Sequence, residues 1–254
     1  MSKRDTQILE ALTNRSRIEV SELAERIGVS AVTMRKDLDA LQAQGLVVRE
    51  HGFATLSNPN DVGGRLAYHY QEKLAIARCG AELVSDGETV MIENGSCCAL
   101  LARQIADTKR DVTIVTNSVF IAEYVRDAPD VHVTLLGGAI QADSQVAVGP
   151  LVRTCAREFV VESLFIGADG WIDGMGFTNN DQMRAEAVRT MAESAARVVV
   201  LTESEKFSRR GSVPLRLGSS RISVITDQLV PEAARASLAR DNVDVILAEP
   251  NENK

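Results

Sequence analysis

The chain has 254 residues, of which 45% are hydrophobic and 25% are charged, and its formal net charge is −7. No apolar run approaches the roughly 20 residues that a membrane span needs, and the N-terminus lacks the apolar core of a secretion signal, so we expect a cytoplasmic protein. The four cysteines, Cys79, Cys97, Cys98 and Cys155, have no C-x-x-C spacing and do not cluster with histidine. We therefore expect reduced thiols, no metal site and no cofactor.

Residues 20–52 have the pattern of a helix-turn-helix followed by a short β-wing. In the first helix, which Ser21 can cap, apolar residues recur on one side, and Gly28 suits the tight turn that follows. Ser30 can cap a second helix that runs to about residue 44. Apolar residues at i, i+4 and i+7 of that helix predict one stripe facing the core.

The opposite side of the second helix and the wing suit contact with DNA. Two β-rich segments, 46–49 and 53–56, predict a wing with a turn at residues 51–52. A helix that begins with small, polar and basic residues suits the major groove, which it enters with its N-terminal end. Short helix pairs also occur in many other helical folds, so the pattern alone leaves a structural interpretation open. The predicted DNA-binding residues are Ser30, Val32, Thr33, Arg35, Lys36, Arg49 and His51.

The rest of the chain begins with a predicted linker. Polar residues 57–61 predict a linker that extends to residue 64, and a connector helix is predicted over residues 65–84. Beyond it, buried strands alternate with amphipathic helices, which predicts an α/β domain with a largely parallel sheet covered on both faces. The strands are predicted at 89–93, 112–116, 131–136, 164–168, 198–202, 222–226 and 243–247, and the helices at about 97–105, 119–126, 151–158, 183–194 and 232–240. The predicted domains are 1–57, 58–84 (linker and connector helix) and 85–254.

Five of these strands end in clusters of glycine, hydroxyl, amide or charged residues. Ligands of open α/β sheets bind at the carboxyl ends of strands, and small residues before a helix let backbone N–H groups approach a phosphate. Strand ends always need turns, so a structural role stays open, but five clusters favour a phosphorylated polar ligand. The clusters contain Glu93, Asn94, Gly95 and Ser96; Thr116, Asn117 and Ser118; Gly137 and Gly138; Asp169 and Gly170; and Glu203 and Lys206.

Motifs over nearly the whole chain resemble the DeoR family of bacterial transcription regulators. The family motifs T-[IV]-R-[RK]-D-L and H-G-G-A are similar to residues 33–38 (TMRKDL) and 51–54 (HGFA), in which Phe53 replaces the second glycine. The family motifs D-x-G-[ST]-T, T-N-S, L-G-G, G-x-D-G, G-[LF]-T-T and D-x-x-K are similar, in order, to residues 93–97, 116–118, 136–138, 167–170, 176–179 and 203–206. The resemblance implies a winged helix-turn-helix domain and a larger α/β sensor domain that resembles sugar-phosphate isomerases and CoA transferases.

The same resemblance implies a DNA-binding transcription regulator, most often a repressor, whose operator affinity changes when a phosphorylated sugar or sugar acid binds. It adds Cys97, Thr178 and Arg184 to the candidate effector site. Cys97 and Asn179 replace family threonines, and Arg184 stands where the family often has glutamate. A cation there indicates an unusual or more acidic ligand, unless Arg184 only forms a surface ion pair. Lys206 is the best candidate for a phosphate contact, with a plain surface lysine as the alternative.

Charge counts indicate that the protein acts as a homo-oligomer, either a dimer or a tetramer. Residues 1–56 contain eight Lys/Arg and eight Asp/Glu, against 20 and 27 in the rest, and a neutral module with few phosphate contacts needs a second copy for useful affinity. The expected partners are double-stranded operator DNA and a small phosphorylated effector, with no membrane.

Two alternative functions stay open. One is an enzyme that acts on a sugar phosphate, with Asp169 and Glu203 as acid and base and Lys206 on the phosphate. Against it, the three histidines lie outside the strand-end clusters. The other is a redox sensor that uses the neighbouring thiols of Cys97 and Cys98.

Overall fold

The computed structural model describes residues 3–15, 17–43, 46–56, 62–218 and 221–249. The predicted linker residues 57–61 and the predicted helix end at residue 44 lie outside the described residues. The chain forms two compact units, of which the first ends at Gln71 and the second begins at Glu72. The domain limits at residues 57 and 84 stay predictions.

The first unit is a winged helix-turn-helix, as the sequence predicts. Its three short strands form an antiparallel sheet in the order β1-β3-β2, and the apolar stripe of the second motif helix, Met34, Leu38 and Leu41, is fully buried. Burial of this stripe against the neighbouring helices gives the unit its core. In chain order the elements are α1 (Lys3–Asn14), β1 (Ile18–Glu19), α2 (Val20–Ile27), α3 (Ala31–Ala43), β2 (Val47–Glu50), β3 (Phe53–Leu56) and α4 (Val62–Ala67).

The caps of the two motif helices differ from each other. Ser21 does not cap α2, because its hydroxyl donates to the Glu19 carboxylate at 2.6 Å, so that prediction was wrong. Gly28 ends α2 in the left-handed conformation, at φ 77°, which glycine adopts at little cost. Ser30 caps α3 as predicted, since its Oγ accepts the Thr33 N–H at 3.1 Å.

The second unit is built on a seven-stranded parallel sheet, which confirms the predicted α/β fold. Its order is β15-β14-β12-β9-β4-β5-β6, so the chain reverses its direction across the sheet between β4 and β9. The sheet strands are β4 (Thr89–Ile92), β5 (Val112–Thr116), β6 (Val131–Leu135), β9 (Val161–Ile166), β12 (Ala195–Leu201), β14 (Arg221–Thr226) and β15 (Asp244–Leu247). The helices are α5 (Tyr70–Glu82), α6 (Ser96–Thr108), α7 (Val119–Val125), α8 (Pro150–Ala156), α9 (Gln182–Ala192) and α10 (Glu232–Arg240).

Short elements complete the second unit. Two small antiparallel sheets are separate from the main one, and a 3₁₀ turn at Ser204–Ser208 follows β12. The sequence did not predict these strands, because segments of two to four residues show no clear periodicity. They are β7 (Ala139–Gln141) and β8 (Val146–Val148), and β10 (Gly170–Ile172), β11 (Gly176–Asn179) and β13 (Val213–Pro214).

The predicted connector helix over residues 65–84 was wrong in one respect. It is two helices, α4 and α5, separated by a turn at Tyr68 and His69. His69 has a φ of 52°, which no continuous right-handed helix contains. The helical pattern of apolar residues runs through the turn, so no residue pattern indicates the break. Among the described residues, no helix combines the length and the apolar character that crossing a membrane requires.

Candidate DNA-binding surface and effector site

One side of α3 is open to solvent and carries two cations. Val32 is 61% exposed, and Arg35 and Lys36 are also exposed. Met34 and Leu38, on the opposite side of the helix, are buried. The Thr33 hydroxyl lies 2.9 Å from that of Ser30, so these two predicted DNA-binding residues also stabilise the helix start. The exposed side of α3 therefore begins at a fixed N-terminus, as a helix that enters a groove end-on requires.

The acidic residues of α3 are paired with cations from neighbouring elements. Asp37 accepts two hydrogen bonds from the Arg4 guanidinium of α1, one of them 2.9 Å long. Asp39 forms an ion pair with Arg49 of β2 at 2.7 Å. In the described part of the chain, Arg35 and Lys36 form no ion pair of this kind. The surface of α3 is therefore locally basic although the unit as a whole is neutral.

The wing is held against α3 and turns tightly. The Arg49 N–H donates to the Gln42 side chain at 2.8 Å, which ties β2 to α3. His51 and Gly52 have φ values of 51° and 83°, the two positive angles of a type I′ turn that matches the twist of a two-residue hairpin. Phe53, which departs from the family motif, lies under the Arg17 guanidinium at 4.0 Å, in a cation–π contact that fixes the start of β3.

The carboxyl edge of the parallel sheet joins the predicted effector residues of β4 and β5. Asn94 follows β4, and its side-chain oxygen accepts the Ser118 hydroxyl at 3.0 Å. Ser118 caps α7 by accepting the Ile121 N–H, and its own N–H donates to Thr116 Oγ1 at 3.0 Å. Asn94, Thr116, Asn117 and Ser118 are all buried. This half of the edge is a rigid, hydrogen-bonded wall.

The loops after β4 and β9 meet at the reversal of strand order. The Glu93 carboxylate accepts the Gly167 N–H at 3.3 Å, and a Cβ on Gly95 would lie 3.7 Å from Gly167 Cα. α6 begins at Ser96, and its N-cap residue, Gly95, has no side chain with which to cap the helix. The first turn of α6 thus presents backbone N–H groups at the switch point, where open α/β sheets bind ligands.

A buried ion pair that the sequence did not predict joins α5 to this edge. Lys73 Nζ lies 3.2 Å from Glu203 Oε1, and the two side chains are 3% and 9% exposed. Burial raises the pKa of the Glu203 carboxyl, but Lys73 and Lys206 lower it more, so the pKa lies below its ordinary value. In a sequence, a lysine in an amphipathic helix resembles a solvated one, and its partner is far away along the chain. No local signal indicates Lys73.

The thiol of Cys97 belongs to the same group. Its Sγ contacts Glu203 Oε2 at 3.7 Å. Burial, and then the charge of Glu203, raises the pKa of Cys97 well above its ordinary value. Burial and Glu93 do the same to the pKa of Cys98. Both thiols are therefore kept protonated, the unreactive state.

Asp169 and Arg184 lie together beyond β9. Arg184 Nη2 is 3.6 Å from Asp169 Oδ2, with side-chain exposures of 15% and 21%. The same carboxylate oxygen accepts the Asn180 N–H at 2.8 Å. Asp181 caps α9 by accepting the Arg184 N–H at 2.8 Å. Burial raises the pKa of Asp181, yet hydrogen bonds from α9 and Gln141 and the charge of Arg184 lower it below its ordinary value.

Several predicted effector residues have structural contacts of their own. A Cβ on Gly138 would lie 2.7 Å from Val148 O, and one on Gly170 would lie 2.5 Å from Arg209 O, so both positions exclude a side chain. The Thr178 hydroxyl accepts the Gly211 N–H at 2.8 Å, and Asn117 donates to Ala147 O at 3.2 Å. Gly137 is exposed beyond β6, and Ser96 and Lys206 are partly exposed at the edge. Whether each contacts an effector stays a prediction.

A winged helix-turn-helix joined to an α/β unit with a polar carboxyl edge defines a class of transcription regulators that sense a ligand. Residues 4–60 match the DeoR-like helix-turn-helix domain, and residues 68–228 match the DeoR C terminal sensor domain. The chain belongs to the DeoR family and is a DNA-binding transcription regulator.

The alignments with two similar proteins cover almost the whole chain. The "Putative aga operon transcriptional repressor" of Escherichia coli O157:H7 is 29% identical, with 97% of this chain and 93% of that protein covered. The transcriptional repressor AccR of Agrobacterium fabrum is 28% identical, with 91% and 94% covered. Among solved structures, ribose 5-phosphate isomerase A of Methanocaldococcus jannaschii aligns at a TM-score of 0.40 and 18% identity, over 53% of each chain.

Proposed function

We propose that this regulator represses transcription by binding operator DNA through α3 and the wing, and that a phosphorylated sugar or sugar acid releases it. Repression is the activity named for both relatives above. On the DNA side, Arg35 and Lys36 are exposed and form no ion pair with the described residues, which supports base and phosphate contacts. Arg49 and His51 of the wing suit the flanking backbone.

The polar carboxyl edge at the switch point is the observation that carries the effector part. There the first turn of α6 supplies N–H donors, and Lys206 supplies a partly exposed positive charge close enough to influence Cys97 and Glu203. A phosphate that accepts from Ser96 and pairs with Lys206 satisfies both groups. The hydroxyl groups of the sugar then face the amide and hydroxyl side chains of Asn94 and Ser118.

The contacts at this edge favour a sensor over an enzyme. Glu203 is paired with Lys73, and Asp169 is engaged by Arg184 and the Asn180 N–H, so neither carboxylate is free to move a proton. Among the histidines, His132 contacts Asp111 at the surface. The raised pKa values of Cys97 and Cys98 likewise disfavour redox sensing. We propose that the protein has no enzymatic activity.

The same proposal includes the setting in which the protein acts. A regulator that binds operator DNA works in the cytoplasm of a bacterium. Its DNA-binding unit presents few cations, so we propose that it binds as a homo-oligomer, in which two copies contact two half-sites.

Lys206→Ala tests the effector site. Operator binding is measured by fluorescence anisotropy with DNA from the protein's own promoter region, with and without a panel of sugar phosphates. We expect the variant to bind DNA normally and to lose release by the sugar phosphate. Lys109→Ala, at the opposite end of α6, is the matched control and keeps the response. A normal response of Lys206→Ala removes that residue from the site, and a panel without any active compound contradicts the proposed effector class.

A further inference from the structure

Arg184 lies at the same edge as the first turn of α6. Asp169, its neighbour, is two residues beyond Gly167, whose N–H binds the Glu93 carboxylate. The Asp169 N–H in turn donates to Thr178 O at 2.9 Å, which holds the loop after β9 against β11. Arg184 itself is fixed in the first turn of α9 by the cap that Asp181 provides. The position of its side chain is therefore set by backbone contacts on two sides.

The guanidinium of Arg184 has N–H donors that form no hydrogen bond with the described residues. Its contact with Asp169 is 3.6 Å long, which is beyond hydrogen-bonding distance. Within the described part of the chain, the Arg184 side chain makes no hydrogen bond, although it is 15% exposed and an arginine has five N–H donors. The nearby carboxylates are engaged elsewhere: Asp169 accepts the Asn180 N–H, and Asp181 accepts the Arg184 N–H and the Gln141 amide.

A partly buried charge without hydrogen bonds is costly, because burial removes water that the protein does not replace. By contrast, Arg189, one and a half turns further along α9, has its donors satisfied. Its guanidinium donates to the carbonyl oxygens of Leu215 and Pro214 at 3.0 and 2.7 Å. Arg189 therefore has a structural role, whereas the N–H donors of the Arg184 guanidinium are available to a ligand.

We propose that Arg184 binds a carboxylate of the effector, so that the effector is a phosphorylated sugar acid and not the corresponding phosphorylated aldose. The planar fork of a guanidinium matches a carboxylate in two parallel hydrogen bonds. The phosphate of the same molecule lies at Ser96 and Lys206, as in the proposed function, on which this inference rests. Arg184 is thus the residue that distinguishes the acid from the corresponding aldehyde sugar.

Two of the cations at the edge are open to a ligand. Glu93, Asp169, Asp181 and Glu203 contribute four carboxyl groups, and Lys73, Lys206 and Arg184 contribute three cations. Of these cations, Lys73 is sealed in the buried pair with Glu203. Lys206 and Arg184, both within reach of solvent, are the two that can each receive one anionic group.

The test uses pairs of ligands that differ in the oxidation state of the first carbon. The full-length protein is titrated with glucose 6-phosphate and 6-phosphogluconate, ribose 5-phosphate and 5-phosphoribonate, and erythrose 4-phosphate and 4-phosphoerythronate. Dissociation constants come from calorimetry, and release of operator DNA is followed in parallel. We expect at least one acid to bind about ten- to a hundredfold more tightly than its aldose, the value of one charge-assisted hydrogen-bonded pair.

Arg184→Gln removes the charge and Arg184→Lys keeps it without the fork. In Arg184→Gln we expect the preference for the acid to fall to within about twofold, while the affinity for the aldose phosphate is unchanged; Arg184→Lys recovers part of the preference. Arg157→Gln is the matched control, because Arg157 is exposed directly after α8 and pairs with Glu193, which directly follows α9. Thermal melting without ligand establishes that each variant is folded.

The outcomes separate this inference from the proposed function. If aldose and acid bind equally to the original protein, or if Arg184→Gln keeps the preference, the role of Arg184 is wrong and the sugar-phosphate site stands. If no compound of either series binds, the proposed effector class fails and this inference fails with it. Loss of all binding in Arg184→Gln, with Arg184→Lys equally inactive, indicates a structural role and also contradicts the inference.

Discussion

Four charged residues follow one another closely on α3, and their partners decide what each can do. Asp37 and Asp39 are held by cations from α1 and the wing, while Arg35 and Lys36 extend into solvent. The sequence predicted the two cations as DNA contacts, but it could not show that the adjacent acids were neutralised from outside the helix. The same holds for Lys73 and Glu203, whose pairing depends on the fold of the sheet.

Replacing Arg35 tests the basic face of α3. We expect Arg35→Ala to lower operator affinity about five- to 150-fold per copy, because a base contact contributes about 1–3 kcal/mol. The melting temperature should not change, since Arg35 is exposed and pairs with none of the residues that the structure describes. Arg26→Ala, an exposed arginine on α2, serves as the control and should bind normally in a gel-shift assay. Unchanged affinity of Arg35→Ala rules out α3 as the recognition helix.

The buried pair of Lys73 and Glu203 makes stability depend on pH in a definite direction. Because the folded protein lowers the pKa of Glu203, the stabilisation is complete above the unfolded value of about 4.3 and is lost as the pH falls through the folded value. We expect Glu203→Gln to cost about 3–5 kcal/mol at pH 7, the penalty for breaking a buried pair. Urea denaturation should show that this cost shrinks below about pH 4.

A surface pair provides the control for that measurement. Glu193→Gln removes the partner of Arg157, and both side chains are more than half exposed. Its effect on the free energy of unfolding should stay within about 1 kcal/mol at neutral pH. If the cost of Glu203→Gln is as small as this, or does not change with pH, the pair does not stabilise the folded state.

At the scale of elements, long periodic segments could be predicted and short ones could not. The strands of the parallel sheet stand out because burial on both faces demands continuous apolar runs, and α10 was predicted with its observed limits, Glu232–Arg240. The strands β7, β8, β10, β11 and β13 have at most four residues, too few for a pattern. β10 and β11 position Asp169 and Thr178, so the sequence predicted these two site residues but not the strands that place them.

The hairpin of the wing is an element whose turn can be tested alone. Gly52 has a φ of 83° and open space around its Cα, so Gly52→Ala costs only the left-handed conformation, about 1 kcal/mol. His51→Asn is the matched substitution at the other turn position and should be neutral or stabilising, because asparagine favours a type I′ turn. Thermal melting should place Gly52→Ala below the original protein and His51→Asn at or above it. An Ala variant as stable as the original contradicts the turn assignment.

At the scale of the whole molecule, charge is divided between the two units. All of the net negative charge falls in residues 57–254, while residues 1–56 are neutral. DNA affinity then depends on a few local cations and on how many copies act together. The order of the two units along the chain could be read from the sequence, whereas the number of copies could not, because the charge count indicates more than one copy but does not set the number.

Salt dependence measures how many copies bind. The slope of log affinity against log salt concentration is about −0.9 per phosphate contact, so we expect it to double between DNA with one half-site and DNA with two. The affinity should rise by about a hundredfold or more for the longer DNA, as linkage of two contacts predicts. Equal slopes for the two DNAs would mean that one copy makes all the contacts. Sedimentation of the free protein gives the copy number independently.

The rate at which the cysteines react with an alkylating reagent reports how often the sensor unit opens. Cys97 and Cys98 are sealed in the folded state, whereas Cys79 and Cys155 are partly accessible. An alkylating reagent therefore modifies two thiols early and the other two only during transient excursions that expose the start of α6. A compound seated against that helix suppresses those excursions, so the lag before the second pair reacts reports occupancy without any dye, mutation or DNA.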